Sequence, residues 1–193
     1  MIDVSHSTDK TFYDILKITN KPLVATHSSP RKFTPNFERN MSDNMIKDLA
    51  SNNGLIMLNF GSGFISEQSN KSFGDINSKV EKYKIENNLE GSDKKLLKYR
   101  DDLIKKVKPF ASINDFIDTI DHVKELVGID HIGLGSDFDG LGNTLPYDLK
   151  DTSTYPNILY KLLKREYSEI EIKKICSDNL FRVWNANLQN HQI

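Results

Sequence analysis

Four side chains carry the chemistry that can be read from the residues. His6 closes Val4-Ser5-His6, and His27 closes the apolar run Leu23-Val24-Ala25-Thr26. Neutral imidazole is a standard zinc ligand, so two histidines at the ends of neighbouring apolar strands make a credible partial metal site. They do not complete one, because a hydrolytic zinc centre needs about three protein ligands and an open position. Asp137 stands in Gly133-Leu134-Gly135-Ser136-Asp137-Phe138-Asp139-Gly140. Its carboxylate could orient a metal-bound water or take up its proton. In an extended segment Asp139 would point the same way, with Phe138 opposite. The plainer alternative is a pair of turn-forming aspartates before Gly140. Arg39, in Phe37-Glu38-Arg39-Asn40, offers a planar guanidinium able to grip a carboxylate with two bonds, or simply to be solvated.

The other candidates are weaker. His122 falls on a charged helix face, His131 at the start of a strand, which is the wrong end for chemistry, and His191 in a polar tail. Cys176 lies on an amphipathic helix and reads as packed rather than reactive. Phe181 and Trp184 suit a helix face that covers a sheet. Gly133 and Gly135 allow close packing, but their spacing is not that of a phosphate loop.

The elements that must position these residues alternate. Strands are expected at residues 1–6, 22–26, 54–60 and 131–138. The third is almost wholly apolar, as in a parallel sheet buried on both faces. Helices are expected at residues 8–19, with Phe12, Ile15 and Leu16 at helical spacing, and from Ser42 to about residue 52. Ser112 caps another, with Phe116, Ile120, Val123 and Val127 on one face and a stop at Gly128. Two more close the chain, from about Pro156 and from Ser168 to about residue 187, the latter opening on a Ser168-x-x-Glu171 capping box. Residues 61–74 read as loop, and residues 77–110 as a charged, solvated helical insertion.

Strand–helix alternation implies a parallel sheet with right-handed crossovers. Four such units are half of a (β/α)8 barrel, whose chemistry sits at the C-terminal ends of its strands. The first, second and fourth expected strands end in His6, His27 and Asp137. A polar residue closing a buried strand is what a barrel active site requires.

The totals exclude several other functions. The 193 residues are 37% hydrophobic and 27% charged, with a net charge of -1, which gives no electrostatic case for nucleic acid or an anionic membrane. One cysteine excludes an internal disulfide framework and a cysteine-based zinc site. No apolar run reaches the length of a membrane span. A cytoplasmic location is the expectation, with any N-terminal signal lying outside these residues.

The ordered series of motifs resembles the membrane (renal) dipeptidases, a family of zinc metallopeptidases. The resemblance is carried by Val24-Ala25-Thr26-His27-Ser28-Ser29, then Glu38-Arg39-Asn40, then Asn59-Phe60. It continues through residues 127–140 (VGIDHIGLGSDFDG), Ser153-Thr154-Tyr155-Pro156 and residues 177–183 (SDNLFRV). It implies an α/β fold, the C-terminal half (about four βα units) of a (β/α)8 TIM-type barrel, with residues 1–193 as a single domain. It also implies an enzyme that hydrolyses dipeptides through a hydroxide bridging two zinc ions. In that scheme His6 and His27 bind one zinc, Arg39 holds the dipeptide's carboxylate, and Asp137 handles the proton or the substrate amine. Asp139 supports the loop. The family's His-x-Asp pair, bridging glutamate and oxyanion histidine would lie upstream, and no His-x-Asp occurs here. The chain alone is therefore expected to be inactive, a fragment lacking the N-terminal half-site. Phe64 stands where some relatives carry a substrate-facing tyrosine. The alternatives are another amide- or ester-cleaving metal hydrolase, and a non-catalytic half-barrel whose open edges pair with a second copy in a homodimer.

Overall fold

A computed structural model describes residues 1–188; His191 lies outside them. The first helix, α1 (Asp9–Ile18), is capped by the Thr8 side chain and buries Phe12 completely. Strand β1 (Val24–Ser28) follows, then helix α2 (Asp43–Ser51), whose N-terminal amides are met by the Ser42 hydroxyl. Strand β2 (Leu55–Leu58) leads into a short helix, α3 (Ser62–Ile65), and the long α4 (Glu67–Glu86) and α5 (Lys94–Val107). Helix α6 (Ile113–Val127) returns to strand β3 (Ile132–Leu134). After it come α7 (Phe138–Leu141), α8 (Tyr155–Lys164), α9 (Glu169–Lys173), a π-helical turn (Lys174–Asp178) and α10 (Asn179–Leu188).

The three strands form a parallel sheet in the order β1-β2-β3. Their side chains explain the arrangement: Leu23, Val24, Ala25, Leu55, Ile56, Leu58 and Ile132 are all essentially without solvent contact. A sheet so apolar needs cover on both faces. One face packs on α2, α6 and α8 through Ile46, Leu49, Phe116, Ile117, Ile120, Ile158 and Leu162. Against Val24 and Leu55, α10 lays Val183 and Leu180. The capping boxes at Ser112–Asp115 and Ser168–Glu171 are both formed.

Five expectations change. The first expected strand, at residues 1–6, is reduced to one parallel bridge between Asp3 and Val24, held by Val4 N–H to Val24 O (2.8 Å) and Val24 N–H to Ile2 O (3.1 Å). The segment is too polar beyond Val4 to extend that pairing, and His6 turns it away with φ 67°. Residues 61–74 are helical rather than loop: the Ser66 hydroxyl caps α4, and Gly74 sits on an open surface where it hides the helical pattern. Helices α4 and α5 do share an apolar seam, with Phe73, Ile76 and Ile104 buried together and Tyr83 stacked on Tyr99. Finally, Phe181 and Trp184 are 60% and 48% exposed, because the phase of α10 turns Val183, not the aromatics, onto the sheet. The π-helical turn adds a residue just before α10 and contributes to that phase. Cys176, in that turn, is exposed rather than packed, although partial desolvation pushes its thiol pKa up.

Candidate functional site

The C-terminal ends of the parallel strands gather His6, His27, Arg39, Asn59 and Asp137. Each arrives by a different local device. His27 lies in β1 where the register slips: Ala25 pairs with Ile56 but Ser28 with Leu58, so β1 carries one extra residue across Thr26–His27. A bulge at that point re-aims a side chain that a regular strand would send elsewhere. His6 follows the Asp3 bridge in the left-handed region, which costs a non-glycine residue about 1 kcal/mol. The two imidazoles meet with Nε2 to Nε2 at 2.9 Å and ring centroids 5.0 Å apart.

Behind His27 stands a chain of hydrogen bonds. Its Nδ1 is 2.8 Å from the Thr26 hydroxyl, which donates to Asp3 Oδ2 at 2.5 Å. Asp3 Oδ1 accepts from Ser5 N–H (2.9 Å) and Thr26 N–H (3.1 Å). Burial alone would raise the Asp3 pKa, but these hydrogen bonds outweigh it and hold the carboxyl below its usual range. The Ser5 hydroxyl accepts from His27 N–H at 3.0 Å and fixes the strand end against the first segment.

Arg39 comes from a long loop pinned at its base, where Arg31 N–H bonds Met41 O and Met41 N–H bonds Ser29 O. Asn40 ties the same loop to Thr34 and to Phe64 O. The guanidinium is half-buried; it donates to Ser28 Oγ (3.2 Å) and His27 O (2.9 Å), and its centre lies 5.5 Å from the Phe64 ring. Its Nε is buried and has no partner among the described residues. Desolvation depresses its pKa, opposed by the charges of Asp137 and Asp3. A half-buried guanidinium at this polar rim could pair with an anion.

Asp137 lies three residues beyond β3, in the left-handed region with φ 57°. The expected alternation with Asp139 fails there, because helix α7 begins at Phe138 and leaves Asp139 exposed in its first turn. Phe138 instead packs against Phe60 and Tyr155. A β-carbon at Gly140 would meet the Asp137 carboxylate, so a side chain there would displace that carboxylate. Asp137 Oδ2 accepts from Asn59 Nδ2 at 2.9 Å, and Asn59 Oδ1 accepts from Gly61 N–H at 2.7 Å. Fully buried Asn59 was missed as a site residue, although it is the polar residue that closes the third expected strand.

The electrostatics tie the set together. Desolvation lowers the His6 pKa, the charges of Arg39 and His27 lower it further, and those of Asp137 and Asp3 oppose them. His122 and His131 stand apart. His122 is buried, not on an open charged face, and bridges Asp43 (2.9 Å) and Lys32 (3.1 Å) between α2 and α6. His131 bonds Gly54 O (2.9 Å) at the other end of the sheet. Among the described residues no three His, Cys, Asp or Glu side chains form a metal-holding cluster, and no helix is long and apolar enough to cross a membrane.

Comparison with known proteins identifies the family. The family model for membrane dipeptidases, peptidase family M19, matches residues 1–192. An uncharacterized dipeptidase of Schizosaccharomyces pombe is 31% identical over 185 residues, which cover 95% of this chain and 35% of that protein. The crystal structure of a probable dipeptidase from Pseudomonas aeruginosa superposes with a TM-score of 0.75 at 25% identity, covering 96% of this chain and 50% of that one. A metallopeptidase from Rhodobacter sphaeroides, solved with a phosphinate mimic of the dipeptide L-Ala-D-Ala, gives a TM-score of 0.71 at 25% identity, covering 96% and 42%. The chain thus spans a third to a half of the length of these relatives.

Proposed function

The chain belongs to the membrane dipeptidase family of metallopeptidases, and from that premise we propose that it carries one half of a zinc-dependent dipeptidase site on part of a (β/α)8 barrel. The observation that carries this reading is the convergence of His6, His27, Arg39 and Asp137 at one rim of a parallel sheet. Residues 1–193 act in it as one unit, with the helices around 77–110 as an insertion beside the site.

The donor set fits a metal in part. Zinc with bonds of about 2.0–2.1 Å and tetrahedral angles holds two ligand nitrogens about 3.3 Å apart. The His6–His27 separation of 2.9 Å falls a few tenths short of that, within reach of a small ring rotation. His6 and His27 would hold the metal from this chain, and the remaining ligands would have to come from outside these residues. A pair of bound zinc ions would supply Lewis acidity and a nucleophile at neutral pH.

This chain's own residues then have distinct tasks. Arg39 takes the dipeptide's free carboxylate, which favours dipeptides over longer chains because a longer substrate has an uncharged amide at that position. Phe64 supports the guanidinium face and, without a hydroxyl, leaves the nearby substrate side chain an apolar neighbour. Asp137, oriented by Asn59, receives the proton that must reach the leaving amine.

The test uses the complete gene product supplied with zinc, assayed on dipeptides and on their C-terminal amides. The wild type should prefer the free carboxylate, and Arg39→Met should erase that preference with a rise in KM of about 100-fold. Preference retained in Arg39→Met would remove Arg39 from the site. Turnover of other amides or esters with no dipeptide cleaved would favour a different metal hydrolase. The 193-residue chain alone should be almost inactive, and zinc-dependent turnover by it would overturn the half-site reading.

A further inference from the structure

We propose that Asp3, acting through the Thr26 hydroxyl, is a positioning residue that fixes His27 as the Nδ1-protonated tautomer and turns its Nε2 lone pair toward His6. The argument is a proton count along three contacts. Ionised Asp3 has no proton to give, and both its oxygens already accept: Oδ1 from two backbone N–H groups, Oδ2 from Thr26. Thr26 has one hydroxyl proton, and the 2.5 Å contact to Asp3 uses it. The Thr26 oxygen can therefore only accept from His27 Nδ1, 2.8 Å away, so Nδ1 carries hydrogen. A neutral ring protonated on Nδ1 leaves Nε2 as a bare lone pair. Without a cation that lone pair accepts from His6, so His6 must present Nε2–H across the 2.9 Å contact.

The arrangement is fitted to a metal ligand. A ligating histidine needs its far nitrogen held by an acceptor, which sets both tautomer and ring orientation. The β1 bulge at Thr26–His27 brings the hydroxyl and its own neighbour's ring into register, which a regular strand, sending adjacent side chains to opposite faces, would not do. Asp3 also bonds the backbone of both segments that carry the histidines, so one carboxylate sets the separation and the protonation pattern of the pair. The tautomer follows from this geometry alone; its use in holding zinc rests on the dipeptidase reading.

Two variants separate this role from simple structural support. In Asp3→Asn the carbonyl oxygen must face the two backbone N–H groups, which leaves the amide NH2 against Thr26 as a donor. The Thr26 hydroxyl then donates to His27 Nδ1, and the ring switches to its Nε2-protonated form. Thr26→Val removes the relay with little change of shape, while Thr26→Ser restores it. The readout is the pair of imidazole 15N shifts and their long-range couplings to ring protons, recorded on the 193-residue chain well above the imidazole pKa, with His6→Gln and His27→Gln for assignment. The expected result is Nδ1–H at His27 in the wild type and Thr26→Ser, Nε2–H in Asp3→Asn, and mixed tautomers in Thr26→Val. In zinc titrations of the complete gene product Asp3→Asn and Thr26→Val should bind about 10–100-fold more weakly. An Nε2-protonated His27 in the wild type, or one tautomer unchanged across the variants, would overturn the proposal. If the tautomers follow the pattern but zinc bound to the complete gene product shifts neither His6 nor His27, the relay stands and the metal reading fails.

Discussion

The two ends of the sheet carry similar polar residues put to different use. At the N-terminal ends of the strands most polar side chains bond backbone, the Lys174–Asp130 ion pair (2.6 Å) apart. Asn52 accepts from Leu23 N–H, His131 bonds Gly54 O, and Asn179 donates to Ile129 O and Ile132 O. Arg182 bonds Asn53 O and Asp130 O, and Asn187 bonds Pro22 O. At the C-terminal ends side chains bond mainly to side chains: His6 to His27, Thr26 to Asp3, Asn59 to Asp137. There, too, lie the left-handed residues His6 and Asp137 and an Arg39 Nε without a partner among the described residues, although Asn53 (φ 57°) and Arg182 Nε show the same features at the other end. A backbone partner cannot leave without unfolding the strand, whereas a side-chain partner can be exchanged for a ligand. One end is built to hold the sheet together, the other to change partners.

That division can be broken by substitution. The largest effect on stability is expected at Gly135, where the backbones themselves meet. A β-carbon there would collide with Thr26 O and lie 2.8 Å from Met57 O, neither of which can step aside. Gly135→Ala should cost about 4 kcal/mol or prevent folding, read as the urea midpoint. A loss under about 1 kcal/mol would mean that the strands slide freely at the rim. Next comes Asn179→Ala at the holding end. It strands two buried carbonyls that each have a 2.8 Å partner, and should cost about 2 kcal/mol. An equal loss from Asn59→Ala, whose partners are Asp137 and one amide, would erase the contrast between the ends.

How legible these ends were in the sequence depended on what each residue touches. Strand-end histidines stand out because His6 and His27 interrupt apolar runs, and α6 stands out because Ser112, Asp115 and its buried face follow local rules. The Asp3–Thr26–His27 contacts were invisible, since they need a bulge that no residue type announces. Asn59 was hidden by its ordinary type, Asp137 was placed in a strand that stops three residues earlier, and α4 was disguised by Ser, Asn and Gly. In each case a tertiary contact, not a local preference, decided the outcome.

A smaller effect is expected away from both ends, where charge rather than backbone is at stake. Glu171 pairs with Lys124 at 2.6 Å and closes the Ser168 capping box, which together bring its pKa down from 4.5 to about 2. A carboxylate whose pKa is depressed by folding stabilises the fold above its unfolded pKa. That stability is lost as the pH falls from about 4.5 through about 2. Allowing for solvent around the pair, the loss should be about 1 kcal/mol, and Glu171→Gln should flatten that part of the pH–stability curve. An unchanged curve in Glu171→Gln would show the pair to be decorative.

The smallest effect on stability should come from His6, a metal ligand in the proposed function, and that makes it the sharpest test. His6 and His131 are both histidines with one close ring-nitrogen contact, at opposite ends of the same sheet. His131→Ala strands a strand-end carbonyl and should cost about 1 kcal/mol. His6→Gly loses only a contact to another exchangeable side chain, and it relieves a φ of 67° that costs a non-glycine residue about 1 kcal/mol. Glycine's greater freedom in the unfolded chain offsets part of that relief, so the net change should stay within about 0.5 kcal/mol of zero. Zinc affinity in the same variant should nonetheless collapse, because half of the nitrogen donors are gone. If His6→Gly costs as much as His131→Ala, the left-handed turn at His6 serves the fold rather than the ligand, and the two ends of the sheet are not divided in labour.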